Sequence, residues 1–170
     1  MAGVHVSSDA LQHSSLRHAS GAPTGLAPVT EAEVLEVQAK WAEAIKGISK
    51  TYKEGGDYIK AAGEAAGELY AYGHSNVLFK PTKAAEYQFR PTGEEAMSYF
   101  VGGNVVDNGY AEDAGFAING GKGWSECIYD NHQVEIKNGV GIAMGNYYFT
   151  SAADDSKTKV EQLILTLTSP

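Results

Sequence analysis

Residues 138–139 are Asn-Gly, set between two long runs rich in β-branched and aromatic residues. Asn-Gly accepts the left-handed backbone that a two-residue hairpin loop demands, so Trp124 to Lys137 and Val140 to Ser151 are expected to pair as antiparallel strands. A second turn follows at Ala153-Asp154-Asp155-Ser156. Beyond it, Lys157 to Thr168 alternates Leu163, Leu165 and Leu167 on one face, which predicts a third strand. A three-stranded meander at the C-terminal end restricts the chain to folds in which something else covers one face of an antiparallel sheet.

The first half supplies the cover. Thr30 with Glu33 three residues on is a capping box, and Val34, Val37, Trp41, Ile45 and Ile48 form one apolar stripe of a helix that Gly55-Gly56 stops. Asp57 can cap a second helix through about Tyr72, with Ile59, Ala62, Ala66, Leu69 and Tyr70 near one face and Gly73 ending it. Val77 to Lys80 reads as a short strand broken by Pro81, and Ala85 to Arg90 as strand or extended loop. Thr92 with Glu95 is a second capping box, opening a short helix through Phe100 that Gly102-Gly103-Asn104 ends. Helices first and a meander last argue an α+β fold, a curved antiparallel sheet with helices on one face.

Composition excludes several function classes. The chain has 170 residues and a net charge of −8, with no basic patch interleaved with aromatics, so nucleic acid is not an expected partner. No apolar run approaches the roughly 18 residues of a membrane span. The single cysteine, Cys127, cannot form an internal disulfide or a zinc ribbon and leaves the redox compartment open. Asn119-Gly120-Gly121-Lys122-Gly123 looks like a phosphate loop, but Phe116 and Gly123 occupy the positions where that motif needs Gly and Ser or Thr. Of the five histidines, His5, His13 and His18 precede the first helix, His74 sits in a turn, and His132 lies mid-strand. None makes a pair with metal-ligand spacing. Glu126, Asp130 and His132 fall on one strand face, so a carboxylate-rich site stays open.

Residues 1–18 form a strand-like arm and 19–29 a linker rich in Gly, Pro and small residues, ahead of a single domain over 30–170. The last strand runs out in Leu165-Thr166-Leu167-Thr168-Ser169-Pro170, and the chain opens with Gly3-Val4-His5-Val6. Joined tail to head, these read as a hairpin. The arm is therefore expected to be the last strand of a preceding repeat in a tandem-repeat parent. It would fill the edge beside Lys157–Thr168 within the chain or by exchange between two copies.

One set of motifs is more specific: LFKPTKA, FRPT, SYFVGGN and AMGNYYFT with a following KVE, in this order. Over about Thr30 to Glu161 the chain resembles the iota-class carbonic anhydrases. These have a cone-shaped α+β fold of the nuclear-transport-factor-2-like type, similar also to the association domain of calmodulin-dependent kinases. That family ends its last strand in His-His-Ser-Ser. Here Gln12-His13-Ser14-Ser15 in the arm matches it, with Gln12 in place of the first His.

The resemblance implies reversible hydration of CO2 to bicarbonate without a cofactor, a divalent metal such as Mn or Zn being the alternative. Thr82, Tyr99, Ser14 and His13 are then the candidate catalytic residues, and Ser15, Gln12, Phe79 and Phe100 line the substrate site. Without a metal to acidify water, such a site works by positioning and oriented hydrogen bonds. The resemblance further implies a homodimer, with an exchanged arm as one version, and a plastid or other CO2-handling compartment. The competing reading is a non-catalytic oligomerisation or small-anion-binding module, since fold does not fix function.

Overall fold

The computed structural model describes residues 29–70, 72–73 and 76–167. Helix α1 (Glu31–Lys53) begins where expected: the Thr30 hydroxyl accepts from the Glu33 N–H at 3.2 Å, and the Glu33 carboxylate accepts from the Thr30 N–H at 2.8 Å. Its buried residues, Val34, Gln38, Ala42, Ile45, Ile48 and Ser49, recur at helical spacing and lie against the sheet. Helix α2 (Tyr58–Leu69) is capped by Asp57. It stops at Tyr70, short of the expected Tyr72. There the backbone turns extended and delivers the Tyr70 ring to Phe79 and Phe100, at 5.5 and 5.8 Å. Helix α3 (Gly93–Val101) carries the second capping box. A 3-10 helix over Phe116–Gly121, which periodicity does not reveal, precedes the sheet.

Strands β1 (Trp124–Lys137), β2 (Val140–Ser151) and β3 (Lys157–Leu167) form one antiparallel sheet in the order β1-β2-β3. The hairpin turn is the one expected, with Asn138 and Gly139 both at positive φ. The helix-side face of the sheet carries Cys127, Tyr129 and Asn131 from β1, Gly145, Tyr147 and Phe149 from β2, and Val160 and Gln162 from β3, in matching register. Two glycines set how closely the layers approach. A Cβ on Gly141 would meet Val34 of α1 at 2.5 Å, and one on Gly145 would run into the β1 backbone at Asp130, Asn131 and His132. Opposite Gly145 the β1 register slips by one residue, leaving His132 as a bulge. Glu126, Asp130 and His132 are all exposed, on the face of β1 opposite Cys127, Tyr129 and Asn131, as the strand alternation implies. Among the described residues no group of three His, Cys, Asp or Glu is arranged to hold a metal ion.

Val77–Lys80 is not a strand. A single backbone bond, from the Arg90 N–H to the Phe79 carbonyl at 2.9 Å, ties it to the following segment. The N–H groups of Ala85, Glu86 and Tyr87, which a ladder would need, instead donate to the Glu112 carboxylate at 2.8–3.0 Å. Beneath this loop Arg90 is fully buried. Its Nη2 donates to both oxygens of Asp113 at 3.2 and 3.3 Å, its guanidinium lies 4.3 Å over the Tyr110 ring, and Asp113 also accepts from the Ser98 hydroxyl at 2.6 Å. The expected arm (1–18), most of the linker, and His74 lie outside the described residues.

Breaking one side of a buried ion pair leaves an uncompensated charge. Asp113→Ala is therefore expected to lower the unfolding free energy by about 3–5 kcal/mol, read by urea denaturation followed by far-UV circular dichroism.

Candidate functional site

The helix-side face of the sheet is aromatic at its centre, and α1 brings an indole onto it. Trp41 meets Tyr129 at 5.9 Å, Tyr147 at 5.8 Å and Phe149 at 6.2 Å, each edge to face. Its Nε1 donates to the Tyr70 hydroxyl at 3.0 Å. From the other side, α3 supplies Tyr99 and Phe100. Tyr99 stacks on Phe116 at 5.4 Å and meets Phe79 edge-on at 6.0 Å, while Phe79 stacks on Phe100 at 5.6 Å. The four phenols of Tyr70, Tyr99, Tyr129 and Tyr147 thus face one another across an apolar interior.

Burial is the main influence on all four, and it pushes each phenol above its ordinary range, Tyr70, Tyr99 and Tyr129 well above it. Partial relief comes to Tyr70 from the Trp41 N–H, to Tyr99 from the Lys83 backbone N–H, and to Tyr147 from the adjacent Thr82 hydroxyl. These phenols stay neutral at physiological pH. They offer hydrogen bonds and do not serve as anionic bases. Burial likewise drives the Cys127 thiol to about 12, which removes a thiolate nucleophile from consideration.

Of the residues expected from the sequence, Phe79, Phe100 and Tyr99 pack together, and Thr82 sits exposed at the rim with its hydroxyl beside Tyr147. Gln12, His13, Ser14 and Ser15 lie outside the described residues. Sequence reasoning passed over Tyr70, Tyr129 and Tyr147 as site components and placed Trp41 only in a core stripe. A signal was available for two of them: counted in steps of two from buried Cys127 and Phe149, Tyr129 and Tyr147 point inward. A layer of carboxamides lies next to the phenols. Gln38 and Asn131 exchange hydrogen bonds at 3.0 and 2.7 Å, and Gln162 Nε2 donates to Asn131 Oδ1 at 3.2 Å.

Residues 32–165 match the family described as metal-independent carbonic anhydrase. A curated relative of that same description from Nostoc sp. is 36% identical over 136 residues, which is 76% of this chain. The match spans 62% of that relative's length. Among solved structures, the iota-carbonic anhydrase of a cyanobacterium, complexed with bicarbonate, superimposes with a TM-score of 0.75 at 32% identity. That match covers 86% of this chain and 88% of the other.

The loop carrying Thr82 is held from behind by Glu112. Three backbone N–H groups, those of Glu86, Tyr87 and Ala85, hold its carboxyl down at about 2. That clamp contributes in full above the ordinary value near 4.5 and is lost as pH falls through about 2. Amide hydrogen exchange at residues 85–87, corrected for its intrinsic pH dependence, is expected to lose protection over that window. In Glu112→Gln the same protection is expected to be weak at every pH.

Proposed function

Because the chain belongs to the metal-independent carbonic anhydrases, we propose that its phenol-lined interior hydrates CO2 reversibly to bicarbonate. The observation that carries this reading is a group of neutral hydroxyls set against aromatic surface, those of Thr82, Tyr99 and Tyr147. Apolar rings suit CO2, which carries no charge and accepts hydrogen bonds weakly. Hydroxyl donors suit the negative charge that builds on its oxygens as water adds to the carbon. One water proton stays on the new bicarbonate and the other leaves to solvent.

The chemistry follows from where charge appears. Fixed donors that meet an oxyanion in a partly dry site stabilise it more than water does, because they need no reorganisation. Tyr99 is held by stacking on Phe116 and by its edge on Phe79, so its hydroxyl keeps one position. Thr82 faces solvent from a loop fastened by Glu112 and Arg90 and places the second hydroxyl at the mouth. The family description and this donor set of hydroxyls and amides both support a reaction with no metal.

Two further elements belong to this reading. Residues 4–16 would pair with the edge of β3 as a fourth strand, in cis or exchanged between copies, bringing Ser14 to the phenols as a third hydroxyl with His13 nearby. The outer face of the sheet, with Ile128 at 53%, Met144 at 45% and Leu163 at 72% exposure, would form a homodimer contact. A non-catalytic anion-binding module would share the pocket but lack turnover.

Stopped-flow CO2 hydration on chelator-treated protein is expected to show turnover, and its absence would refute the metal-free reading. Tyr99→Phe keeps the ring and removes the hydroxyl. It is expected to lower kcat by about a hundredfold with an unchanged circular dichroism spectrum.

A further inference from the structure

Helices α1 and α2 pack with a cavity between them. Among the described residues it is walled by Trp41 and Ile45 of α1, Ala62 and Ala66 of α2, and the rings of Tyr70 and Phe100. Ala44 and Ala65, both half-buried, form its outer end, so the cavity reaches the surface between the helices. About 20 Å3 is free inside. One water needs roughly 10–15 Å3, and close-packed interiors hold few larger voids. A space of this size takes one small molecule and no segment of polypeptide.

The walls decide which molecule. They are alanine, isoleucine and aromatic surface, and the indole N–H of Trp41 is spent on the Tyr70 oxygen at 3.0 Å. Water held there would lack the two to four polar partners it requires. An anion would lose its hydration for nothing in return. A small uncharged gas loses little on leaving water and fits apolar walls.

The inner wall of this cavity is also the outer wall of the phenol cluster. Trp41 lies 5.9 Å from Tyr129 and 5.8 Å from Tyr147. Tyr70 and Phe100 stand 5.5 and 5.6 Å from Phe79, which meets Tyr99 at 6.0 Å. A single layer of rings thus separates cavity from phenols. The Trp41–Tyr70 hydrogen bond is the polar seam in that layer, and parting these two rings would join the two spaces.

We propose that the α1–α2 cavity is a second binding site, one that takes CO2 as an apolar gas and passes it between Trp41 and Tyr70 to the phenols. This rests on the reading of the phenol site given above. The two sides of the reaction then use separate doors. The gas crosses the helix seam, and charged bicarbonate uses the polar rim at Thr82.

Xenon, an apolar atom of comparable size, is the probe for the cavity. Under xenon pressure the methyl shifts of Ala62, Ala66 and Ile45 are expected to move in wild type and to stay still in Ala65→Leu, which fills the space. In stopped-flow assays that variant is expected to lose about tenfold in kcat/KM for CO2. Its bicarbonate affinity, read by amide shifts, is expected to match wild type. The reverse rate does not discriminate, because a fixed overall equilibrium obliges kcat/KM for dehydration to fall equally. An unchanged kcat/KM in the filled variant, or a parallel loss of bicarbonate affinity, would overturn the passage. Should Ala65→Leu not fold by circular dichroism, Ala44→Leu enters the cavity from the facing helix and carries the same expectations. Normal wild-type turnover without xenon shifts overturns the passage alone. Wild type that takes up xenon but turns over no CO2 refutes the phenol reading, and the passage with it.

Discussion

Trp41 is the joint on which the structure turns. Its ring lies edge-on against three aromatics of the sheet, and its only polar atom reaches across to Tyr70 at the end of α2. One side chain therefore fixes the distance between the first helix and the sheet, and ends the second helix where it does. A wide ring with a single donor fills the space between helix and sheet while leaving no polar atom of its own unsatisfied.

The aromatic layer has a supporting frame made of different chemistry. Behind the phenol cluster, the buried Arg90–Asp113 pair and the Glu112 carboxylate fasten the loop from Phe79 to Arg90 without a β ladder. Ladder bonds would have aligned this segment with the sheet and flattened it. A carboxylate gathering three successive N–H groups instead curls the chain, which is what places Thr82 at the rim while Phe79 points inward. Charge is concentrated in the frame, whereas the phenol layer itself consists of aromatic rings and neutral hydroxyls.

Local chemistry made much of this legible from the sequence. Thr30 with Glu33, Thr92 with Glu95, Asp57, and Asn138-Gly139 each act within a few residues, so their effects can be read without knowing what lies nearby. The expectation for Val77–Lys80 failed because the partner that diverts the neighbouring backbone, Glu112, is more than twenty residues downstream. The bulge at His132 was hidden for a similar reason: it answers to Gly145 on the facing strand. At the site, Phe79, Thr82, Tyr99 and Phe100 came from motif resemblance, and the alternation that turns Tyr129 and Tyr147 inward was present but unread. The link from Gln38 to Asn131, separated by 93 positions, has no local signature at all. The motif over Gln12–Ser15 lies beyond the described residues.

The neutrality of the four phenols has a consequence for the bookkeeping of acid. Each molecule of CO2 hydrated sets one proton free, yet phenols held above their ordinary range have no vacancy for it. Among the described residues, an interior of this kind has no reservoir: its phenols cannot take up the proton in one step and discharge it in another. In the proposed reaction, release beyond these phenols would accompany bond formation, and acceptors dissolved in the medium would become part of the working cycle. Thr82, standing exposed at the rim, would then mark the boundary at which the phenols' share of the chemistry passes on.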